Sequence, residues 1–261
     1  MAKSIDVLNI DGKKDHKLDL AEVFDTEIEP WLIRRAAIAE NTYGLQPQGH
    51  FPLAGMQTTA QYYGAMMSYR TGRHMGRAIR PREKLGGGVQ GKVKRIPSSV
   101  KGKRAHPHMI EKKLVEKMNK KEYQAAIKSA IAYSASSNLA SGVETPIVFS
   151  DTLESVKKSK DIIKMLKAIN IYKLISDKSK REKGTSRRTQ RKAFSKKIAI
   201  IVLNDDGAVR ASRNIPGITA VKLSALKVND LVPGGEHPLV PIWSESALKS
   251  IDHEIAKLSL K

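Results

Sequence analysis

The chain has 261 residues, no cysteine, and 47 lysine and arginine residues against 26 acids, which gives a net charge of +21. Without cysteine it can form no disulfide, thiolate metal site or cysteine nucleophile, and no apolar run approaches the roughly 20 residues that span a bilayer. We therefore expect a cytoplasmic protein that does not enter a membrane and that binds a polyanion.

The first predicted elements are a strand and a helix. Residues 1–12 form a short strand pattern that ends in an Asp-Gly turn. Pro30 suits the first turn of a helix, and an apolar stripe of isoleucine and alanine follows it. We expect this helix to end near Gly44.

Residues 44–106 show no lasting apolar periodicity. They hold twelve lysine or arginine residues and eleven glycines, with Glu83 as the single acid. A loop longer than about 15 residues without structure of its own is uncommon in a compact domain and is usually functional or disordered. We predict that residues 44–106 form one long Gly/Arg-rich loop.

Helix and strand patterns return after this loop. A helix is predicted to begin near Asn119, with apolar residues on one face. Ile147–Phe149 is apolar at every position, as expected of a strand covered on both faces. A helix over residues 156–169 and a shorter strand near 171–175 continue the alternation.

A second basic stretch, residues 178–197, carries ten lysine or arginine residues against one acid, Glu182. Because it lies between predicted strands, both its ends are fixed to the domain, which favours a phosphate clamp over a disordered basic tail. Outside the two basic stretches the chain has 25 basic and 24 acidic residues, so the part that can build a core is nearly neutral.

The last predicted elements are strands at residues 198–203, 219–223 and 239–243 and a helix capped by Ser244. Strands that alternate with helices favour an α/β fold with an open, mostly parallel sheet and helices on both faces. We predict a single α/β domain over residues 1–261, from which the long basic loop extends.

The glycines of the first basic stretch match two nucleotide-binding patterns. Gly86, Gly88 and Gly91 satisfy G-x-G-x-x-G, and Lys92 follows them as in a phosphate loop. Both motifs need a strand before them and a helix after them, and the phosphate loop needs Ser or Thr where Val93 stands. The favoured interpretation is a flexible glycine turn.

The sequence offers no recognisable metal site or catalytic group. His106 and His108 flank a proline and His74 lies far upstream, a spacing that matches no common zinc pattern. No nucleophile elbow or paired carboxylates stand in a recognisable setting. We therefore predict no enzyme, no catalytic residue, no metal and no cofactor.

The arginines of the first basic stretch have the spacing expected of phosphate contacts. Arg70, Arg73 and Arg77 follow one another with glycines between them. Arginine offers a planar fork of donors to phosphate and can stack on bases, while glycine lets the backbone approach closely. Three tyrosines between positions 62 and 69 either stack on bases or anchor the loop. The predicted RNA-binding residues are Arg70, Arg73, His74, Arg77, Arg80, Arg82, Lys84, Lys92, Lys94, Arg95, Lys101, Lys103, Arg104, His106, Arg187, Arg188, Arg191, Lys192 and Lys196.

Several segments resemble one known family. TGRHMGRAIRP and VKGKRAHPH lie in the first basic stretch, TPIVFSDTLESVKKSKDIIKMLKAI lies in the domain, and ASRNIPGI, VNDLVPGG and WSESAL lie near the C-terminus. In content and order they resemble the L four family of large-subunit ribosomal proteins, in its archaeal type, over essentially the whole chain.

This resemblance implies a location and partners. In the family, an α/β domain lies on the outside of the large subunit, and the long loop runs inward through ribosomal RNA to line the nascent-peptide exit tunnel. The resemblance implies that this chain is a structural constituent of the cytoplasmic ribosome, with the loop at 44–106 penetrating RNA and residues 178–197 contacting it. The implied partners are large-subunit ribosomal RNA, neighbouring large-subunit proteins and the nascent polypeptide near the tunnel.

Two other functions stay open on the sequence. A free RNA or DNA chaperone would use the same basic segments outside the ribosome, and co-sedimentation with ribosomes would separate the two cases. A nucleotide-dependent enzyme built on the α/β sheet would bind nucleotide and lose that affinity on Lys92→Ala.

Overall fold

The computed structural model of the chain describes residues 4–62, 64, 76–136, 145–173, 197–203 and 206–259. The chain forms two compact units, one of Met1–Gly44 with Val115–Lys261 and one of Leu45–Leu114. The division into a single domain over 1–261, with inserted basic segments at 44–106 and 178–197, stays a prediction.

The larger unit is built on a six-stranded sheet. The described residues form eight strands, β1 (Ser4–Leu8), β2 (Lys14–Asp19), β3 (Arg82–Lys84), β4 (Gln90–Val93), β5 (Ile147–Phe149), β6 (Ile198–Val202), β7 (Ile218–Lys222) and β8 (Val240–Ser244). The large sheet has the order β2-β1-β5-β8-β6-β7. Only β1 and β2 pair antiparallel in it, while the other neighbours are parallel. This mostly parallel sheet confirms the predicted α/β class.

The helices of the larger unit connect and cover this sheet. Those that lie wholly within the described residues are α1 (Pro30–Tyr43), α2 (Lys120–Ser136), α3 (Ser159–Ala168), α4 (Asp206–Ser212), α5 (Val228–Leu231), α6 (Glu245–Lys249) and α7 (Ile251–Lys257). The helix predicted from Pro30 to the neighbourhood of Gly44 is confirmed, with proline in its first turn and Gly44 at its C-cap. Within the described ranges, none of these helices is long and apolar enough to cross a membrane.

Alternate residues of the inner strands pack on opposite faces of the sheet. In β6, Ala199 and Ile201 join a cluster with α1, α2 and α7, whereas Ile198, Ile200 and Val202 join a cluster with α3 and α4. A strand buried on both faces has no polar side, which explains the continuous apolar runs of β5 and β6. Helices therefore lie on both faces, as predicted.

The strand predicted near residues 171–175 is wrong over the residues that the structure describes. Ile171 lies in a turn, Tyr172 and Lys173 are helical, and residues 174–175 lie outside the described residues. The side chain of Ile171 is fully buried against the cluster that contains α3. Its apolar character therefore reflects the packing of a turn and not a place in the sheet.

Three features of the larger unit differ from the sequence-based expectation. The edge strand β2 has mostly exposed polar residues, so it shows no apolar alternation. The short helix α4 was not predicted, because its seven residues are too few for a helical period to show. The predicted final helix is divided at Ser250 into α6 and α7. Ser244 does cap α6, accepting a hydrogen bond from Ala247 N at 3.3 Å.

A carboxylate joins three helices of this unit. Glu40 in α1 accepts hydrogen bonds from the Tyr123 hydroxyl at 2.7 Å and from Val228 N at 2.7 Å. It also accepts from Asn229, through the backbone N at 2.9 Å and Nδ2 at 2.7 Å. Burial, together with the neighbouring Glu40 carboxylate, raises the pKa of Tyr123, so this hydroxyl keeps its proton as a donor.

Candidate nucleic-acid interface

The smaller unit, residues Leu45–Leu114, contains a two-stranded hairpin. Its strand β3 pairs antiparallel with β4, and Gln61 bridges to Arg82 through two backbone hydrogen bonds of 3.1 and 3.2 Å. Leu85 N donates to Val89 O at 3.0 Å and closes the turn between the strands. The predicted loop therefore has regular structure, in strands too short for an alternating pattern to be visible.

The first and last parts of the smaller unit are also joined. His50 N donates to the backbone carbonyl of His108 at 3.2 Å, and the His50 ring Nδ1 lies 2.7 Å from the same oxygen. This contact connects positions 58 residues apart. The smaller unit is thus held mainly by backbone hydrogen bonds.

The described residues of the smaller unit form almost no hydrophobic core. Among its described residues, Ala60 is the one fully buried apolar side chain. Ten large apolar side chains in the part of the unit that the structure describes are exposed instead, namely Leu45, Phe51, Leu53, Tyr62, Ile79, Leu85, Val89, Val100, Met109 and Ile110. With so little apolar burial to offset the entropy of ordering the chain, contacts with a partner would add to the stability that the backbone hydrogen bonds of the unit provide.

The smaller unit carries a strong positive charge. Its sequence holds fourteen lysine or arginine residues and two acids. Eight of the residues predicted to contact RNA are exposed on it, namely Arg77, Arg80, Lys84, Lys92, Lys101, Lys103, Arg104 and His106. A surface of this charge attracts a polyanion. The larger unit, in contrast, pairs many of its charges, as in the Lys14–Asp6 contact of 2.6 Å.

Three other predicted contacts are partly buried and bind backbone carbonyls. Arg82 Nη2 donates to a carbonyl four residues earlier at 3.3 Å. Lys94 Nζ donates to Val100 O at 3.2 Å, and Arg95 Nη2 donates to Thr58 O at 3.1 Å. These side chains shape the smaller unit, which is a role that sequence reasoning did not assign to them.

The remaining predicted contacts are Arg70, Arg73, His74, Arg187, Arg188, Arg191, Lys192 and Lys196, and they lie outside the described residues. Of the three tyrosines proposed to stack or anchor, Tyr62 is 40% exposed, while Tyr63 and Tyr69 lie outside the described residues. The structure thus brings eleven of the nineteen predicted RNA-binding residues into one unit.

The glycine motif does not have the surroundings of a nucleotide site. Gly86–Gly88 forms a single turn between strands β3 and β4, so no helix follows to present its N-terminus to a phosphate. Among the residues that the structure describes, no group of three or more His, Asp or Glu side chains could hold a metal ion.

Sequence reasoning missed the outward-facing apolar residues of the smaller unit. Phe51 is 55% exposed, Leu53 is 51% exposed and Val100 is 82% exposed. The sequence did carry a signal for this exposure. The apolar residues of this glycine-rich segment have no periodic spacing, so they cannot share the buried face of a helix or strand. They add apolar contact area to a surface that would otherwise act through charge alone.

Comparison with known proteins gives one consistent result. The model of the Ribosomal protein L4/L1 family matches residues 18–254. The large ribosomal subunit protein uL4 of Archaeoglobus fulgidus is 36% identical over 253 residues, which cover 93% of this chain and 96% of the relative. That of Methanocaldococcus jannaschii is 35% identical over 256 residues, covering 94% and 96%. That of Sulfurisphaera tokodaii is 31% identical over 258 residues, covering 94% and 92%.

Proposed function

Because this chain belongs to the ribosomal protein L4/L1 family and is a structural constituent of the large ribosomal subunit, we propose that its smaller unit is the principal binding surface for ribosomal RNA. The chain is not an enzyme, and its place is the cytoplasmic ribosome, in association with large-subunit RNA and proteins.

One observation carries the proposed RNA contact. The smaller unit combines fourteen basic residues and two acids with a single fully buried apolar side chain among its described residues. A polyanion would neutralise the charge of this unit and supply packing contacts that its described residues do not make with one another. Phosphate neutralisation would supply affinity, and the shape of folded RNA would supply specificity.

The residues proposed to contact RNA in this unit are those of the sequence prediction, namely Arg70, Arg73, His74, Arg77, Arg80, Arg82, Lys84, Lys92, Lys94, Arg95, Lys101, Lys103, Arg104 and His106. Of these, Arg82, Lys94 and Arg95 also donate to backbone carbonyls of the unit, so they would position it as well as contact RNA. The segment 178–197 would add a second contact through Arg187, Arg188, Arg191, Lys192 and Lys196. Its charge of +9 in 20 residues supports this assignment.

The turn of the β3–β4 hairpin supports a proposed role beside the nascent polypeptide. Residues 85–89 are uncharged, and Leu85 and Val89 are 54% and 60% exposed. An uncharged tip between basic strands suits the wall of a channel through which polypeptides of varied sequence pass, because it offers no fixed charge to retain them. We propose this segment as the exit-tunnel contact.

Crosslinking of the protein to RNA in cells, followed by sequencing of the attached sites, tests the proposed function. We expect sites confined to a few segments of large-subunit RNA. A variant with Arg77, Lys103 and Arg104 changed to Gln should lose most of these sites. A matched control with Lys157, Lys158 and Lys160 changed to Gln loses the same charge from exposed positions of the larger unit and should keep them.

Sites scattered over messenger and other RNAs would contradict this proposal. They would favour a free RNA chaperone, which uses the same charge without a fixed ribosomal location.

A further inference from the structure

Two turns of the smaller unit are in direct contact. In residues 51–56, Ala54 N donates to Phe51 O at 3.0 Å and Met56 N donates to Leu53 O at 2.9 Å. In residues 96–102, Ser99 N donates to Ile96 O at 3.2 Å and Gly102 N donates to Ser99 O at 3.0 Å. We call residues 51–56 and 96–102 together the double turn.

The double turn is held by close backbone contact. A Cβ atom added at Gly55 would overlap the backbone of Gly102 and Lys103, and one added at Gly102 would overlap the Ile96 carbonyl and approach Ser99 Oγ to 2.6 Å. Only glycine fits at both positions. The approach of the two turns is therefore a defined geometry and not a loose contact.

Residues around the double turn also adopt backbone conformations that non-glycine residues seldom use. Arg95 has φ of 70° and Lys101 has φ of 59°, both in the left-handed region. Arg95 Nη2 bonds to Thr58 O, beyond the first turn, and Lys94 Nζ bonds to Val100 O, within the second. Such conformations persist where the surroundings enforce them, and they concentrate at functional sites.

The double turn presents apolar and basic side chains to solvent. Phe51 is 55% exposed and Val100 is 82% exposed, and Lys101, Lys103 and Arg104 are also exposed. The two turns are held by their backbone hydrogen bonds and by the close contact at Gly55, and not by the packing of their own side chains. The shape is available for a partner before the partner binds, which lowers the entropic cost of binding.

We propose that the double turn is a preorganised RNA-binding site, in which Phe51 stacks on an unpaired base and Lys101 and Lys103 bind the phosphates that flank it. This inference rests on the proposed function and adds the class of RNA feature that the site recognises. Single-stranded bases that are turned outward are the common target of aromatic side chains, and neighbouring cations hold the backbone.

The charge around the double turn favours RNA over a protein partner. Glu83 is the only acid in residues 44–106, so a protein partner would need an acidic surface to match the basic side chains that surround Phe51. The apolar residues do not form a continuous helical or strand face that another element could cover, because they come from two separate turns. A planar base needs only one exposed ring and nearby cations.

The main test compares two glycine variants of the full-length protein. Gly102→Ala distorts the double turn and removes no charge, whereas Gly86→Ala places its Cβ in open space. The dissociation constant for large-subunit RNA transcribed in vitro should rise at least about tenfold for Gly102→Ala and stay within about twofold for Gly86→Ala. The salt dependence of binding should be the same for both variants, because it reports phosphate neutralisation.

A second pair of variants separates stacking from charge without altering the turn. Phe51→Ala should weaken binding roughly 5- to 150-fold, the range for loss of one stacked base, with an unchanged salt slope. Lys103→Gln should lower the salt slope by about one unit. Circular dichroism of each variant should match the parent protein.

The outcomes distinguish this inference from the proposed function. If the parent protein prefers large-subunit RNA over poly(U) but Phe51→Ala and Gly102→Ala bind it as the parent does, the double-turn site is excluded and the ribosomal function stands. If the parent protein shows no such preference, the proposed RNA-binding function fails first, and the inference fails with it.

Discussion

Glu40 accepts four hydrogen bonds, one from a hydroxyl of α2 and three from the start of α5. The first backbone N–H groups of a helix have no partner within the helix, so a side chain from elsewhere in the fold has to accept their hydrogen bonds. Here the acceptor lies 188 residues earlier in the sequence than Val228. Sequence patterns report caps that lie a few residues away, which is why this one was not predicted.

Glu40→Ala should destabilise the larger unit by roughly 3 kcal/mol. The substitution leaves the Tyr123 hydroxyl and two backbone N–H groups without their acceptor, and unsatisfied buried donors are costly. Chemical denaturation followed by circular dichroism measures the change in the free energy of unfolding.

Glu254→Ala is the matched control for this prediction. Glu254 pairs with Lys257 at 2.8 Å within α7, and because the lysine is exposed, this ion pair contributes little. We expect the unfolding midpoint of the Glu254→Ala variant to equal that of the parent protein. Equal stability of Glu40→Ala and Glu254→Ala would show that the network around Tyr123 does not support the fold.

At the scale of elements, the two sheets differ in how far burial protects their backbone amides from hydrogen exchange. Every residue of β6 is buried, whereas β3 has no fully buried residue. In the free protein, the amides of β6 should exchange with solvent slowest, and those of β3 and β4 should exchange orders of magnitude faster, because local opening exposes little apolar surface there. Binding of large-subunit RNA should slow exchange in β3 and β4 and leave β6 unchanged.

Hydrogen exchange measured by mass spectrometry checks this prediction on the same sample with and without RNA. The β6 peptides serve as an internal control. Equal protection of β3 and β6 in the free protein would contradict this prediction. It would show that the smaller unit is stable by itself, although its described residues bury little apolar surface.

The elements that were predicted from sequence share one property. Strands β5, β6 and β8 are apolar at most positions, and α1 and α3 have an apolar stripe, so burial is visible in their composition. The strands that were missed, β2, β3 and β4, are short and polar because they lie at the edge of the large sheet or in the smaller unit, whose described residues form almost no core. Where burial does not select residues, periodicity carries no signal.

At the scale of the whole molecule, charge and hydrophobic core are separated. The stretches 44–106 and 178–197 hold 22 of the 47 basic residues and two of the 26 acids. This separation was visible in the sequence and identified the class of partner. Individual roles were less visible, because composition does not distinguish Arg95 from Arg104. The fold separates them, since Arg95 binds Thr58 O whereas Arg104 is exposed.

The salt dependence of RNA binding should reveal the contribution of the second basic stretch. Changing Arg187, Arg188, Arg191 and Lys192 to Gln should lower the slope of log K against log salt by about three units, since each phosphate contact contributes roughly 0.7 to 0.9. Titrations with large-subunit RNA at several salt concentrations give the slope. Changing Lys157, Lys158, Lys160 and Lys164 to Gln is the control, and an equal slope for both variants would exclude the proposed clamp.

The polar sequence of β2 has a consequence for the protein before it enters a ribosome. This strand lies at one edge of the large sheet, and Lys14, Asp15, His16 and Lys17 are all exposed on it. Edge strands can pair with strands of other molecules, and charged side chains oppose that pairing. The charged side chains of β2 therefore oppose β-sheet aggregation of newly made chains, at the stage when no RNA yet covers their basic surfaces.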